Sequence, residues 1–364
     1  MPIPEEICTI TIDGQEYRDW KTVQVMLEFP GLFRRFQLSV SEQSPTPDTL
    51  GKAQIKPGQK AEVRLGGELA VTGYVYERQT AMDSGNHAVQ ITGQSLAGDT
   101  TRSNIDISKL GNGGQFEKKS LVEIATELLK PYGRKVVTGG DTSRMNEPID
   151  DFQVRTGETP FQAIERLARL KGVFIGDNVE GDYSLYGGLG GQTATPAKGA
   201  ALIEGENIQW MRVTVTDLYL ANPYITTGQA AGDDQYWGKK VAQREFRVAG
   251  KGMDRYKPAV IPMERGLSRS RIDLELKRRL EFEIAWRLGT QIQAEIGVYG
   301  WHKPEGGLWR AAPDELVYVH APSAMVQQEL AVQKLVFSQD VGRGTLTTLQ
   351  LINKERYFGQ EVQV

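Results

Sequence analysis

Short runs of alternating apolar and polar residues dominate the first hundred positions. In CTITIDGQEYRDWKTVQVMLEF a turn at Asp13–Gly14 separates β-rich runs, and FRRFQLSV keeps Phe33, Phe36, Leu38 and Val40 apolar. KAEVRLGGELAVTGYVYERQTAMDSGNHAVQITGQS adds three strands, with turns at Gly66–Gly67 and Asp83–Gly85. Roughly six short antiparallel strands in so short a stretch predict a small barrel or sandwich.

The period changes near Ser120. SLVEIATELLKPYG opens on a capping box, Ser120 with Glu123, and carries an apolar face of Leu121, Ile124, Ala125 and Leu128 until Pro131 and Gly133 stop it. TPFQAIERLARLKG predicts a second helix. Thr159 caps it, Pro160 is its first residue, Gln162 returns the cap, and Phe161, Ile164, Leu167 and Ala168 form the buried stripe. Gly172 ends that helix and VFIGDNVEGDYSLYG reads as a hairpin, so a mixed α/β unit is expected from about residue 98 to 190.

GGLGGQTATPAKGA reads as an exposed loop. Strands resume at NIQWMRVTVTDLYLANPYIT. SRSRIDLELKRRLEFEIAWRLGTQIQAEI is then strongly helical, with Ile272, Leu276, Leu280, Ile284 and Leu288 at i+4 steps. From Ala294 the text is β again, through EIGVYGW, LWRAA, ELVYVHA, ELAVQKLVFSQ and TLTTLQLIN.

The tetrapeptide ELAV occurs at Glu68–Val71 and again at Glu329–Val332. In both places a proline turn leads to a short alternating strand, ELAV opens a longer one, and a Gly-containing hairpin leads to a third. Val71, Tyr74 and Tyr76 stand where Val332, Leu335 and Phe337 stand. Any two antiparallel meanders share some of this pattern. The sharper reading is two copies of one barrel with helical matter between them. Such a pair suits a ring in which three chains present six similar units.

Composition narrows the class. The 364 residues hold 43 basic and 46 acidic side chains with no long basic run; RR at Arg34–Arg35, KK at Lys118–Lys119 and KRR at Lys277–Arg279 read as solvated faces rather than a nucleic-acid groove. The single cysteine, Cys8, excludes an intramolecular disulfide and a Cys-rich metal motif, and in TITID context it is expected as a small apolar strand residue. No run is long enough and apolar enough to cross a membrane, and MPIPEEIC lacks a signal-peptide h-region, which points to synthesis in a cytoplasm.

Candidate chemistry is sparse. Gly93-Gln94-Ser95-Leu96-Ala97 nearly matches a nucleophile elbow, but the GDTTRSNID that follows is poor helix text. His87, His302 and His320 are far apart and lack metal-ligand spacing. GGLGGQT lacks the GK[ST] ending of a phosphate loop. Asp150–Asp151 and Asp233–Asp234 read as surface turns rather than a glycosidase pair. No catalytic, cofactor-binding or metal residue is assigned, and no cofactor is expected. VRTGETPFQAIERLARLKGV, Val154 to Val173, resembles the first half of a LysM glycan-binding repeat, whereas the following FIGDNVEGDYSLY reads as a strand hairpin rather than a second LysM helix.

One resemblance spans most of the chain. GVYGWHKPEGGLWRAAPDELVYVHAP followed by ELAVQKLVFSQDVGRGTLTTLQLINKERYF resembles the Mu-like baseplate hub proteins of contractile-tailed bacteriophages, the late control or tail hub family. The matching features are Gly300–Trp301, Gly307-x-Leu-Trp309, Phe337-Ser-x-Asp340 and the strand from Gly344. ITGQSLAGDTTRSNI and the helices at Ser120 and Thr159 follow in the same order.

The resemblance implies a mainly β fold with an α+β insert: two similar antiparallel β-barrels plus a mixed α/β domain. The boundaries expected are 1–97 for the first barrel, 98–200 with 246–290 for the mixed domain, 201–245 with 291–358 for the second barrel, and 359–364 as a tail. It further implies a non-enzymatic homotrimer whose six barrels form a pseudo-sixfold ring. That ring would adapt the tail tube protein to the trimeric spike protein within the virion baseplate, beside other baseplate proteins, during genome ejection. Nucleic acid would at most pass through it, and this chain would insert in no membrane. The alternatives are a hub or spike component of a tailocin or type VI-like injection machine and, in another class, a LysM-like wall-binding or wall-degrading tail protein.

Overall fold

The structure, a computed structural model, describes residues 6–32, 34–42, 54–82, 87–188, 201–228, 244–250, 252–262 and 272–358. The expected turn at Asp83–Gly85, most of the Gly-rich loop after Gly187, Asp233–Asp234 and the 359–364 tail lie outside the described residues. The fold is mainly β. Its chain divides into two compact units, one of residues 1–187, 195–212 and 294–351, the other of 188–194, 213–293 and 352–364.

In the first unit the N-terminal strands are β1 (Cys8–Ile12), β2 (Gln15–Tyr17), β3 (Thr22–Glu28), β4 (Arg35–Glu42), β5 (Lys60–Leu65), β6 (Glu68–Met82) and β7 (His87–Ser95). Alternation decides which face each strand buries. In β4 Phe36, Leu38 and Val40 are buried, and in β5 Ala61, Val63 and Leu65. The β5–β6 turn is Gly66–Gly67, with φ of +57° and +85°, a left-handed pair that suits the twist of a two-residue hairpin. Cys8 is buried in β1, and burial pushes its thiol pKa up.

The mixed segment follows within the same unit. It holds β8 (Gln115–Lys119), α1 (Leu121–Leu129), β9 (Val136–Gly140), β10 (Ile149–Gln153), α2 (Pro160–Lys171), β11 (Val173–Asp177) and β12 (Tyr183–Gly187). Both helices start where their capping boxes place them: Ser120 Oγ accepts from Glu123 N at 3.3 Å and Thr159 Oγ1 from Gln162 N at 3.2 Å. Leu121, Ile124, Ala125 and Leu128 of α1 share one core with Ile164, Leu167 and Ala168 of α2. Thr159→Ala should lower stability by about 1 kcal/mol, because an amide in the first turn loses its acceptor. A melt superimposable on the wild type would remove the cap from the account.

The C-terminal strands of this unit are β13 (Ala201–Ile203), β14 (Trp210–Val215), β18 (Ile292–Tyr299), β19 (Leu316–Ala321), β20 (Val326–Asp340) and β21 (Gly344–Asn353); the division between units falls within β14, β18 and β21. The second unit holds β15 (Tyr224–Gly228), β16 (Arg244–Val248), β17 (Ala259–Pro262) and the long helix α3 (Ile272–Gly289).

Two groupings differ from the sequence expectation. The helix expected beside residues 98–200 instead buries Leu280, Ile284 and Leu288 in one core with Leu220, Ala221, Tyr224, Met253 and Ile261. Likewise β15, expected in the second barrel, pairs with β16 and β17 in a separate three-stranded sheet. The i+4 stripe on α3 demanded an apolar partner but did not say which sheet would supply it.

Candidate functional site

The repeat suggested by ELAV has a structural counterpart in strand order. One path runs β3-β4-β7-β6-β5-β1, and a second runs β14-β18-β21-β20-β19-β13, position for position. Each is centred on a strand of fifteen residues, β6 and β20, flanked by hairpin partners. Val71 and Val332 are both fully buried in those strands. The copies are not identical. ELAV opens β6 but sits three residues into β20, Tyr74 and Tyr76 are half-buried where Leu335 and Phe337 are fully buried, and β13 runs parallel to β19 whereas β1 runs antiparallel to β5.

The two paths meet at one ladder. From Lys334 to Asp340, β20 pairs antiparallel with β3 from Glu28 to Thr22, and Lys334 Nζ lies 3.9 Å from Glu28 Oε2. A second link comes from ELAV itself. Glu68 Oε1 lies 3.3 Å from His302 Nε2, and its other oxygen accepts from Leu308 N at 3.4 Å. His302 and Leu308 belong to the β18–β19 connection, which carries the Gly-Trp and Gly-x-Leu-Trp features.

That connection carries a buried plug at its two tryptophans, while Pro304, Glu305, Gly306 and Arg310 are exposed. Trp301 is fully buried and donates Nε1–H to Ser338 O at 3.3 Å, and Trp309 is buried as well. Gly300, at φ +75°, donates to Thr345 O and accepts from Thr347 Oγ1 at 2.6 Å. The fully buried Glu315 carboxylate receives Lys303 Nζ at 2.8 Å and Arg310 Nη2 at 3.1 Å.

A buried charge cluster joins β11 to the N-terminal strands. Arg34 Nε is 3.5 Å from Asp177 Oδ1 and donates to the Asp177 carbonyl at 3.1 Å, while Nη1 donates to Ala70 O at 3.2 Å. Burial pushes the Asp177 carboxyl up to about 6, against the opposing pull of Arg34 and of the Ser95 hydroxyl. Burial likewise lowers the Arg34 pKa.

The residues singled out as candidate chemistry do not converge. Ser95 is fully buried at the end of β7 and caps a short 3-10 helix, Leu96–Thr101, through Ala97 N at 3.3 Å. Helix does follow it, contrary to the expectation, but its hydroxyl faces Asp177 rather than a histidine. His87 lies in β7, His320 in β19 and Asp150–Asp151 in β10, the last two exposed. No group of His, Cys, Asp and Glu among the described residues is placed to hold a metal. The LysM-like stretch continues into the β11–β12 hairpin and not into a second helix. Arg34, expected with Arg35 on a solvated face, is buried instead, and sequence reasoning gave Asp177 and Glu315 no role; these side chains depend on partners up to 143 residues away.

Residues 7–95 match the family described as Mu phage baseplate assembly protein GpP-like, N-terminal, and residues 103–187 match baseplate hub protein gp44-like, second domain. Across 357 residues the chain is 26% identical to baseplate hub protein gp44 of Escherichia phage Mu, covering 96% of this chain and 88% of that one. The chain is a relative of the Mu-like baseplate hub proteins. Among solved structures, the 43 kDa tail protein of prophage MuSo2 from Shewanella oneidensis aligns with a TM-score of 0.79 at 24% identity, covering 98% of this chain and all of that one. A tail protein from Neisseria meningitidis MC58 aligns at 0.74 and 16% identity, covering 97% and 98%. An E. coli type VI secretion component described as similar to T4 tail proteins gp27 and gp5 aligns at 0.59 and 10% identity, covering 97% and 78%. These solved structures share the fold of this chain.

Proposed function

We propose that this chain is the baseplate hub of a contractile phage tail. Three copies would form a ring of six similar β-barrels, 1–97 and the strands of the second path in each chain, adapting the tail tube to a trimeric spike. The observation that carries the reading is the strand order repeated along two paths of one chain, joined by the β3–β20 ladder. A chain that builds one unit twice can present sixfold-like contacts on one side while remaining threefold. The likeness to phage Mu gp44 along 96% of the chain supports the same reading.

Light scattering of the purified chain should give about three times its 40.4 kDa mass. Class averages should show a ring with near-sixfold inner and threefold outer symmetry. A stable monomer at every concentration, with and without the spike and tube proteins of its own tail, would overturn the ring.

A type VI-like or tailocin hub is the second reading, favoured by the shared fold with the E. coli component. The genes beside this one would separate the two. The wall-degrading alternative has less to support it, because Ser95 is buried and the LysM-like helix leads into a hairpin. Clearing on a peptidoglycan zymogram by the purified chain would revive it.

A further inference from the structure

The two strand paths are equivalent in order but not in how their edges are covered. On the edge where β19 ends, β20 goes on to pair with β3 over seven residues, Lys334–Asp340. The equivalent edge of β6 is covered by β5 from Glu68 to Tyr74, and by the backbone of Gly58 and Gln59 at Val75. From there to Met82, β6 has β7 on one side and, among the described strands, none on the other. Glu77, Gln79, Thr80 and Ala81 along this stretch are exposed.

The strand equivalent to β3 is β14. It pairs with β18, as β3 pairs with β4, and it ends the sheet path, so its outer edge faces no described strand. Trp210 is 41% exposed and Arg212 is exposed as well. Each chain thus carries one joint already made, β3 on β20, and the two halves of the same joint left open, β14 and the distal edge of β6. Open strand edges of this length are templates for pairing with another chain.

We propose that β14 of one copy pairs antiparallel with β6 of the next, along Tyr76–Met82, reproducing between chains the β3–β20 ladder within each chain. The occupant is a second copy of this chain, because the half that fits the open β6 edge is the β3 equivalent that the chain itself carries. The contact is head-to-tail, so it repeats until rotation closes it; with two barrels per chain, three copies close a six-barrel ring. This inference rests on the ring reading above and names the strands that would make each intermolecular joint.

Cysteine pairs test it. Arg212→Cys is combined in turn with Glu77→Cys, Gln79→Cys and Ala81→Cys, three positions on one face of β6 that span the possible registers. A disulfide requires Cα atoms about 5.5 Å apart, the spacing of an antiparallel pair. The buried Cys8 is a poor competitor. At least one pair, oxidised or treated with a short bismaleimide, should yield covalent dimers and trimers on denaturing gels, with monomer only from each single-cysteine variant. Hydrogen exchange of the wild-type peptide spanning residues 76–82 should slow on assembly. A trimer by light scattering that shows neither cross-link nor protection would overturn the strand joint and leave the ring standing. A chain that stays monomeric under the same conditions would overturn both.

Discussion

Asp177→Ala should lower the stability of the chain by about 3–5 kcal/mol, the scale expected when one partner of a buried ion pair is removed. The Arg34 side chain is 10% exposed and that of Asp177 1%. A guanidinium does not escape by losing its proton at any ordinary pH, so the variant leaves a cation in a desolvated pocket with two backbone carbonyls as its remaining acceptors. Arg34→Met is expected to be milder at acid pH, because a carboxyl can take up a proton. In the wild type the Asp177 value of about 6 lies above the ordinary 3.8. The folded chain therefore holds this proton through that window; the associated stability is full below about pH 4 and is lost as pH rises through 6. Without Arg34, which holds the value down, the window extends to higher pH. The double variant Arg34→Met with Asp177→Leu should recover most of the loss. Denaturant melts of the wild type, Arg34→Met, Asp177→Leu and the double variant at pH 4 and pH 7 measure the coupling. Additive losses in the double variant would show that the two charges do not act as a pair.

The cluster also shows where sequence reading stops. The helix starts at Ser120 and Thr159 were legible because a capping box is a local object, two side chains three residues apart closing on each other's amides. The Gly66–Gly67 hairpin was legible for the same reason. ELAV marked the two long strands, since an alternating strand after a turn has few alternatives. The equivalence of the paths was not legible beyond those meanders. It depends on pairings such as β4 with β7 and β3 with β20, the last separating residues by about three hundred positions, for which no local rule exists. The grouping of α3 failed on the same ground. As for the candidate site, Ser95 and the histidines drew notice as chemical types, while Arg34, Asp177 and Glu315 matter through burial, which no single residue type announces.

Trp301→Ala should cost about 3–5 kcal/mol, the range for truncating a fully buried tryptophan, and should abolish assembly before it abolishes folding. Trp301 has no exposed surface, and the adjacent Gly300 is held by hydrogen bonds to Thr345 O and from Thr347 Oγ1. Its Nε1–H donates to Ser338 O, on the part of β20 that pairs with Gln24 of β3. Loss of the ring therefore disturbs the ladder joining the two paths, as well as removing apolar area. Trp301→Phe separates these effects. It keeps most of the buried volume and removes the donor, so its cost should be about 1 kcal/mol. If the tryptophan serves the β20 ladder, Trp301→Phe should melt near the wild type and still form the wild-type oligomer, while Trp301→Ala should melt far lower and run as smaller species. Should Trp301→Ala assemble like the wild type, the plug would be a matter of stability alone, and the Gly-Trp feature would say nothing about how copies of this chain meet.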